Sequence, residues 1–127
     1  MIRIRTLQPE DRAAWEILAR GYKEFYKTPT TDAEYETAWQ RLLARDRVHG
    51  LSAFYDGKLV GIAHYLFHTS AWAQNVCYLQ DLFTAHEARG KGVGRALIEA
   101  VAKEARAKGC ARYYWLTGRQ YGRAGTL

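Results

Sequence analysis

The sequence predicts a single α/β domain on a mixed sheet, with the element order β-α-α-β-β-β-α-β. Three observations predict it. The N-terminal "IRIRTL" alternates apolar and polar residues, as a half-buried strand does. Two amphipathic segments follow, and then Asp56-Gly57, a strong two-residue hairpin signal, joins two strand-like runs. Finally an apolar run, a glycine-rich turn and a helical pattern lead into a last strand-like stretch.

The first strand covers 2–7. Pro9 suits a first helical turn, and Glu10 and Asp11 complement the positive end of a helix. Trp15, Leu18, Ala19, Tyr22, Phe25 and Tyr26 recur at helical spacing, so 9–27 reads as an amphipathic helix. "TPTT" breaks it. Thr31 with Glu34 is a capping-box signature, and Tyr35, Ala38, Trp39, Leu42 and Leu43 continue a second helix to about residue 45. Strands are expected at 48–55 and 59–69, "SAWAQN" is a loop, and "VCYLQDLFTA" is a strand over 76–85. A helix over 93–108 turns Val93, Leu97, Ile98, Val101, Ala102 and Ala105 inward, with Gly109 as its C-cap. Residues 111–117 form the last strand and 118–127 an irregular tail. With no repeat and no linker, 1–127 reads as one domain.

Composition sets the function classes. The chain has 127 residues, 48% hydrophobic and 25% charged, ordinary for a soluble domain with a real core. No apolar run approaches the ~20 residues that cross a bilayer, and the N-terminus has no apolar signal region. Cys77 and Cys110 stand far apart without metal spacing, which suits a reducing cytoplasm. A cytoplasmic protein with no membrane partner is therefore expected. The net charge of +6 favours an anionic partner: nucleic acid, acidic lipid or a phosphorylated cofactor. The basic residues are spread out, with no arginine-rich tract or helix-turn-helix pattern, so nucleic acid is not expected. His49, His64, His68 and His86 lack metal-ligand spacing, and no metal is expected. His64 and His68 share a strand face but would lie ~13 Å apart along it. No nucleophile–base pair stands out.

The glycine-rich stretch "ARGKGVGRAL" (88–97) carries the most information. It lies between a buried strand and a helix start, where backbone N–H groups are unpaired and the helix dipole is positive. Glycines let backbone approach a ligand with no Cβ in the way, and Arg89, Lys91 and Arg95 add positive charge. A pyrophosphate cradle fits that chemistry. A Walker loop is excluded because Gly92, not Ser or Thr, follows Lys91. The dinucleotide fingerprint is excluded because position 95 is Arg. The alternative is a connection that merely turns the chain.

In its place in the element order, "DLFTAHEARGKGVGRALIEAV" closely resembles the acetyl-CoA-binding motif of the GNAT N-acetyltransferase superfamily. The core Arg/Gln-x-x-Gly-x-Gly/Ala is met by Arg89, Gly92 and Gly94. "YLQDLF" before the turn and "YYWLT" after the helix resemble the branch of polyamine and histone-type amine acetyltransferases. The resemblance spans about 2–117. It implies a GNAT-like, mostly antiparallel sheet flanked by helices. It implies acetyl-CoA as cofactor, with its pyrophosphate on the amides of Gly90, Lys91, Gly92, Val93, Gly94 and Arg95, beside Arg89. It implies a pantetheine arm against the backbone of Leu82, Phe83 and Thr84, in a slot where that strand splays from 111–117.

The implied reaction passes an acetyl group from a thioester directly to a primary amine, whose pKa is about 10.4 and whose proton must leave. Backbone N–H near Phe83 is placed to polarise the thioester carbonyl. In polyamine acetyltransferases the residue matching Gln80 is often a glutamate; Gln80 cannot ionise, so Asp81 is the carboxylate candidate. The alternative for Asp81 is a structural hydrogen bond in the strand. Tyr22, Phe25, Tyr26 and Trp39 are candidates to line the acceptor pocket, or else core aromatics. Glu24 and Glu36 are read either as attractors of a cationic amine or as solvated charges.

Family members usually continue after "WLT" with an Asn-x-x-Ala-x-x-Leu-Tyr helix and further strands, whose tyrosine protonates the leaving thiolate. Here "GRQYGRAGTL" follows, so a C-terminally shortened domain is expected. An open edge at 111–117 would then favour a homodimer. The acceptor is a small amine, a polyamine or a lysine-bearing peptide. Two other classes stay open: a CoA-binding domain with weak activity, and a basic nucleic-acid-binding module.

Overall fold

The structure is a computed structural model, and it describes residues 1–116. Five strands, β1 (Ile2–Thr6), β2 (Val48–Tyr55), β3 (Lys58–His68), β4 (Val76–Thr84) and β5 (Arg112–Tyr114), form one sheet in that spatial order. β1 to β4 pair antiparallel, and β5 runs parallel to β4. Three helices, α1 (Arg12–Phe25), α2 (Asp32–Ala44) and α3 (Val93–Ala107), flank it. The mixed, mostly antiparallel architecture is the one the sequence predicts. Among the described residues no helix is long and apolar enough to cross a membrane.

Strand alternation sorts the two faces. On β3, Ile62 and His64 face α1 and α2, and Trp15 of α1 bonds to His64. Gly61 faces α3, against Val93 and Leu97. Val93, Leu97, Val101 and Ala105 form one fully buried stripe of α3, at the spacing the sequence shows. On the other face Trp15 packs on Trp39 with ring centroids 5.0 Å apart, and both are buried.

Several boundaries differ from expectation, each for a local reason. The helix expected over 9–27 opens as a 3-10 turn, Pro9–Asp11, and α1 proper ends at Phe25. The buried Asp11 carboxylate fixes that turn: it accepts the Gln8 N–H at 2.8 Å and both terminal nitrogens of Arg5 at 2.9 Å. α2 starts where its capping box predicts. Thr31 Oγ1 accepts from the Glu34 N–H at 3.1 Å, and Glu34 Oε1 accepts from the Thr31 N–H at 2.8 Å. Asp56 and Gly57 both have positive φ, the hairpin conformation anticipated between β2 and β3. β4 ends at Thr84, one residue short of the expected 85.

The largest correction falls on the last strand. Among the described residues of the expected 111–117, strand pairing covers Arg112–Tyr114, which meets Val76–Tyr78 of β4. A register shift in β4 lies just beyond the point where that pairing stops. His64 pairs with Asp81 but Tyr65 pairs with Leu79, so Gln80 is an extra residue, a β-bulge that bends the strand. Beyond Tyr78, β4 has no strand partner on its β5 side among the described residues. Residues 118–127, expected as an irregular tail, lie outside the described residues.

Candidate active site

The bulged strand divides two cavities. The larger, about 610 Å³, lies between α1, α2 and the sheet. Trp15, Tyr22 and Lys23 of α1, Glu34 and Arg41 of α2, His64 of β3, and Gln80, Asp81 and Phe83 of β4 line it among others. The smaller, about 290 Å³, lies beside the unpartnered half of β4. Leu82, Phe83, Thr84, Arg89, Phe25 and Tyr26 line it. Phe83 belongs to both walls, so the two cavities meet at the β4 segment just past the bulge.

The large cleft has a polar floor. His64 Nδ1 lies 2.8 Å from Asp81 Oδ2, and the indole N–H of Trp15 donates to His64 Nε2 at 2.9 Å. Burial raises the Asp81 pKa, but the His64 bond, the Tyr22 hydroxyl and the charge of Lys23 outweigh it, and the net shift is downward. Asp81 is therefore an anion at neutral pH. Burial first, and then the charge of Asp81, push the Tyr22 phenol well above its usual range, so it stays protonated beside the carboxylate. Gln80, on the bulge, is exposed to the cleft.

Charge on the cleft walls is not evenly committed. Both the N–H and Oγ1 of Thr31 donate to the Glu34 carboxylate, so it serves the α2 cap. Lys23 and Arg41 have no ion-pair partner among the described residues. Glu36 is bonded to Arg12 and lies outside the cleft lining.

The smaller cavity leads to the glycine turn. Gly90 and Gly92 have φ of +81° and +85°, in the left-handed region. A Cβ on Gly90 would meet nothing within 4 Å, so the space above the turn is open. α3 begins at Val93 with no side-chain cap, which leaves its first N–H groups to a ligand or water. The Arg89 guanidinium stands 5.9 Å from the Phe83 ring centroid, and Lys91 Nζ 5.3 Å from that of Tyr55. An open slot beside unpaired strand backbone, ending at a basic helix N-terminus, fits a long amide-bearing chain that ends in phosphate.

Comparison with known proteins turns that geometry into a family. The family model for the Acetyltransferase (GNAT) family matches residues 12–124. A D-amino-acid N-acetyltransferase of Saccharomyces cerevisiae is 35% identical over 98% of this chain and 80% of its own length. The chain belongs to the GNAT acetyltransferase family. A thialysine N-epsilon-acetyltransferase of Sus scrofa is 38% identical over 43% of this chain and 32% of its own length. Among solved structures, a ribosomal-protein-alanine N-acetyltransferase from Brucella melitensis superposes with a TM-score of 0.80, at 22% identity, over 94% of this chain and 82% of that one. The protein is thus an acetyltransferase of the GNAT type, and acetyltransferases of this family use acetyl-CoA.

Within a GNAT domain the candidates separate by cavity. Tyr22, Gln80 and Asp81 line the large cleft, whereas Phe25 and Tyr26, read from sequence as acceptor-site or else core aromatics, line the smaller cavity. α1 ends at Phe25 over β4, which carries both rings to the slot side. Trp39 is core, packed on Trp15. The sequence reading missed His64, Trp15, Lys23 and Arg41. Only the pairing of β3 with β4 brings His64 to Asp81, across 17 residues and a bulge.

Proposed function

We propose that the protein transfers the acetyl group of acetyl-CoA to the primary amine of a small acceptor that also carries a carboxylate. The observation that carries this reading is that the two cavities meet at Phe83, with Asp81 on one side and the slot to the glycine turn on the other. When bound, acetyl-CoA supplies an acetyl group activated as a thioester. The residues to hold it are Leu82, Phe83 and Thr84 along the strand, and Arg89 to Arg95 at the turn.

Asp81 anchors the acceptor as a charge-assisted hydrogen-bond acceptor. Its lowered pKa keeps it anionic and makes it a strong anchor but a weak base. The amine proton is therefore lost directly to water in the open cleft while Asp81 holds the nitrogen by a hydrogen bond. Gln80, at the bulge, offers an amide to orient the same nitrogen. Lys23 and Arg41, one from each helix, pair with the acceptor carboxylate. Two free cations facing one carboxylate favour an amino acid over a polyamine, whose several charges they would repel. The cleft volume suits a small molecule better than a folded lysine-bearing surface. The yeast relative, named for D-amino acids, supports the same class.

The free thiols Cys77 and Cys110 support a reducing, cytoplasmic setting. β5, three residues long and at the sheet edge among the described residues, supports a homodimer that covers it. A turnover screen tests the function: thiol release with D- and L-amino acids, their decarboxylated amines, polyamines and lysine peptides. Amino acids are expected to exceed their matched amines in kcat/KM, and Lys23→Ala or Arg41→Ala to narrow the gap by about tenfold. Equal use of an amino acid and its decarboxylated amine would refute the carboxylate subsite.

A further inference from the structure

The hydrogen-bond order under the cleft fixes more than geometry. An indole N–H only donates, so His64 Nε2, 2.9 Å from Trp15 Nε1, must accept. The ring proton of neutral His64 then sits on Nδ1 and is donated to Asp81 Oδ2 at 2.8 Å. Protonating His64 would set one N–H against another and leave the Trp15 donor, on a side chain 1% exposed, with no partner. Trp15 cannot turn away, because it is packed on Trp39.

We infer that Trp15 is a positioning residue that locks His64 in its neutral Nδ1–H tautomer, so that the His64–Asp81 pair carries a net charge of −1 and the acceptor ammonium becomes its counter-ion. A charged imidazole would neutralise Asp81 from behind and compete with the acceptor for it. This inference rests on the reading of the large cleft as the amine site. The other titratable or charged groups facing the pair are Tyr22 and Lys23 from α1, Glu34 and Arg41 from α2, and Tyr78 on β4. Of the whole set only a histidine changes charge between about pH 5 and 8 in its ordinary range.

The test has two arms. Nitrogen-15 NMR of the ligand-free wild type reads the tautomer without any acceptor. The expected result at neutral pH is an Nδ1–H imidazole for His64, with Nε2 unprotonated toward the indole. An Nε2–H tautomer, or an imidazolium at neutral pH, overturns the lock whatever the substrate proves to be. Steady-state kinetics then compares Trp15→Phe with wild type on the acceptor chosen by the screen. Without the indole N–H, His64 is free to charge, and KM for the amine relative to wild type should rise about tenfold from pH 8 to 5.5. kcat at saturation should change less. Adding His64→Gln to Trp15→Phe should remove that pH dependence, because an amide takes no proton. A pH-independent KM ratio in a folded Trp15→Phe overturns the role, even if the tautomer is as described. Should Trp15→Phe fail to fold, the wild-type NMR result alone decides the lock.

Discussion

Gly61→Ala tests how the sheet positions the cofactor turn. A Cβ at residue 61 would stand 2.8 Å from Val93 Cγ1 and 3.0 Å from Leu97 Cδ1, against 3.4–4 Å for ordinary contact. Val93 is 1% and Leu97 0% exposed, so neither side chain can swing into solvent. The first turn of α3 must therefore lift by about 0.5–1 Å, or the strand must sink. Overpacking of that size costs about 1–3 kcal/mol. For a chain of 127 residues this lowers Tm by roughly 5–15 °C. The lifted turn begins immediately after Gly92, so CoA affinity should fall by about tenfold. Thermal denaturation with and without CoA reads both effects, because a ligand of the folded state raises its stability by mass action. Val93→Ala removes the clashing methyl. The double variant should be more stable than the sum of the two single changes by about 1 kcal/mol or more. A Gly61→Ala protein with wild-type Tm and wild-type CoA stabilisation would refute the claim that this contact sets the turn.

Other outcomes follow from the same structure. Gly92→Val places a β-branched residue at φ +85°, with only Ile2 Cδ1, 4.0 Å away, near its Cβ. The cost is backbone strain rather than collision, of the order of 1–2 kcal/mol. CoA stabilisation should be lost while the circular dichroism of the fold remains. His49, stacked on Tyr65 and half-buried, has its pKa lowered first by burial and then by Lys108. Its neutral form is thus favoured in the folded state, so its contribution to stability is complete above about pH 6.5 and is lost as pH falls below that. His49→Gln should flatten that part of the stability–pH curve. An unchanged slope in urea melts between about pH 6.5 and 5 would exclude it.

Much of this architecture is written locally in the chain. The Thr31–Glu34 box, the Asp56-Gly57 turn and the α3 stripe from Val93 to Ala105 each depend on neighbours a few residues apart, and each forms where its pattern stands. The glycine turn is legible for the same reason: Arg89 to Gly94 are contiguous. The floor of the cleft is not contiguous. Trp15, His64 and Asp81 come together through a helix packing angle, a long hairpin register and a bulge at Gln80, none of which has a short-range signal. Phe25 and Tyr26 show the limit of periodicity. It places both on one amphipathic face with Tyr22, yet the helix ends between them and the face meets two different cavities.

The central claim is that Asp81 anchors the amine at the junction of the two cavities. Asp81→Asn tests it most directly, because the amide keeps the side-chain shape but removes the charge that His64 and Tyr22 support. The measurement is kcat/KM for acetyl transfer at neutral pH, beside CoA-induced thermal stabilisation of the same sample. A loss of about 100-fold with unchanged CoA stabilisation is the predicted result. Turnover within about twofold of wild type, with the variant folded and CoA bound, would contradict the account.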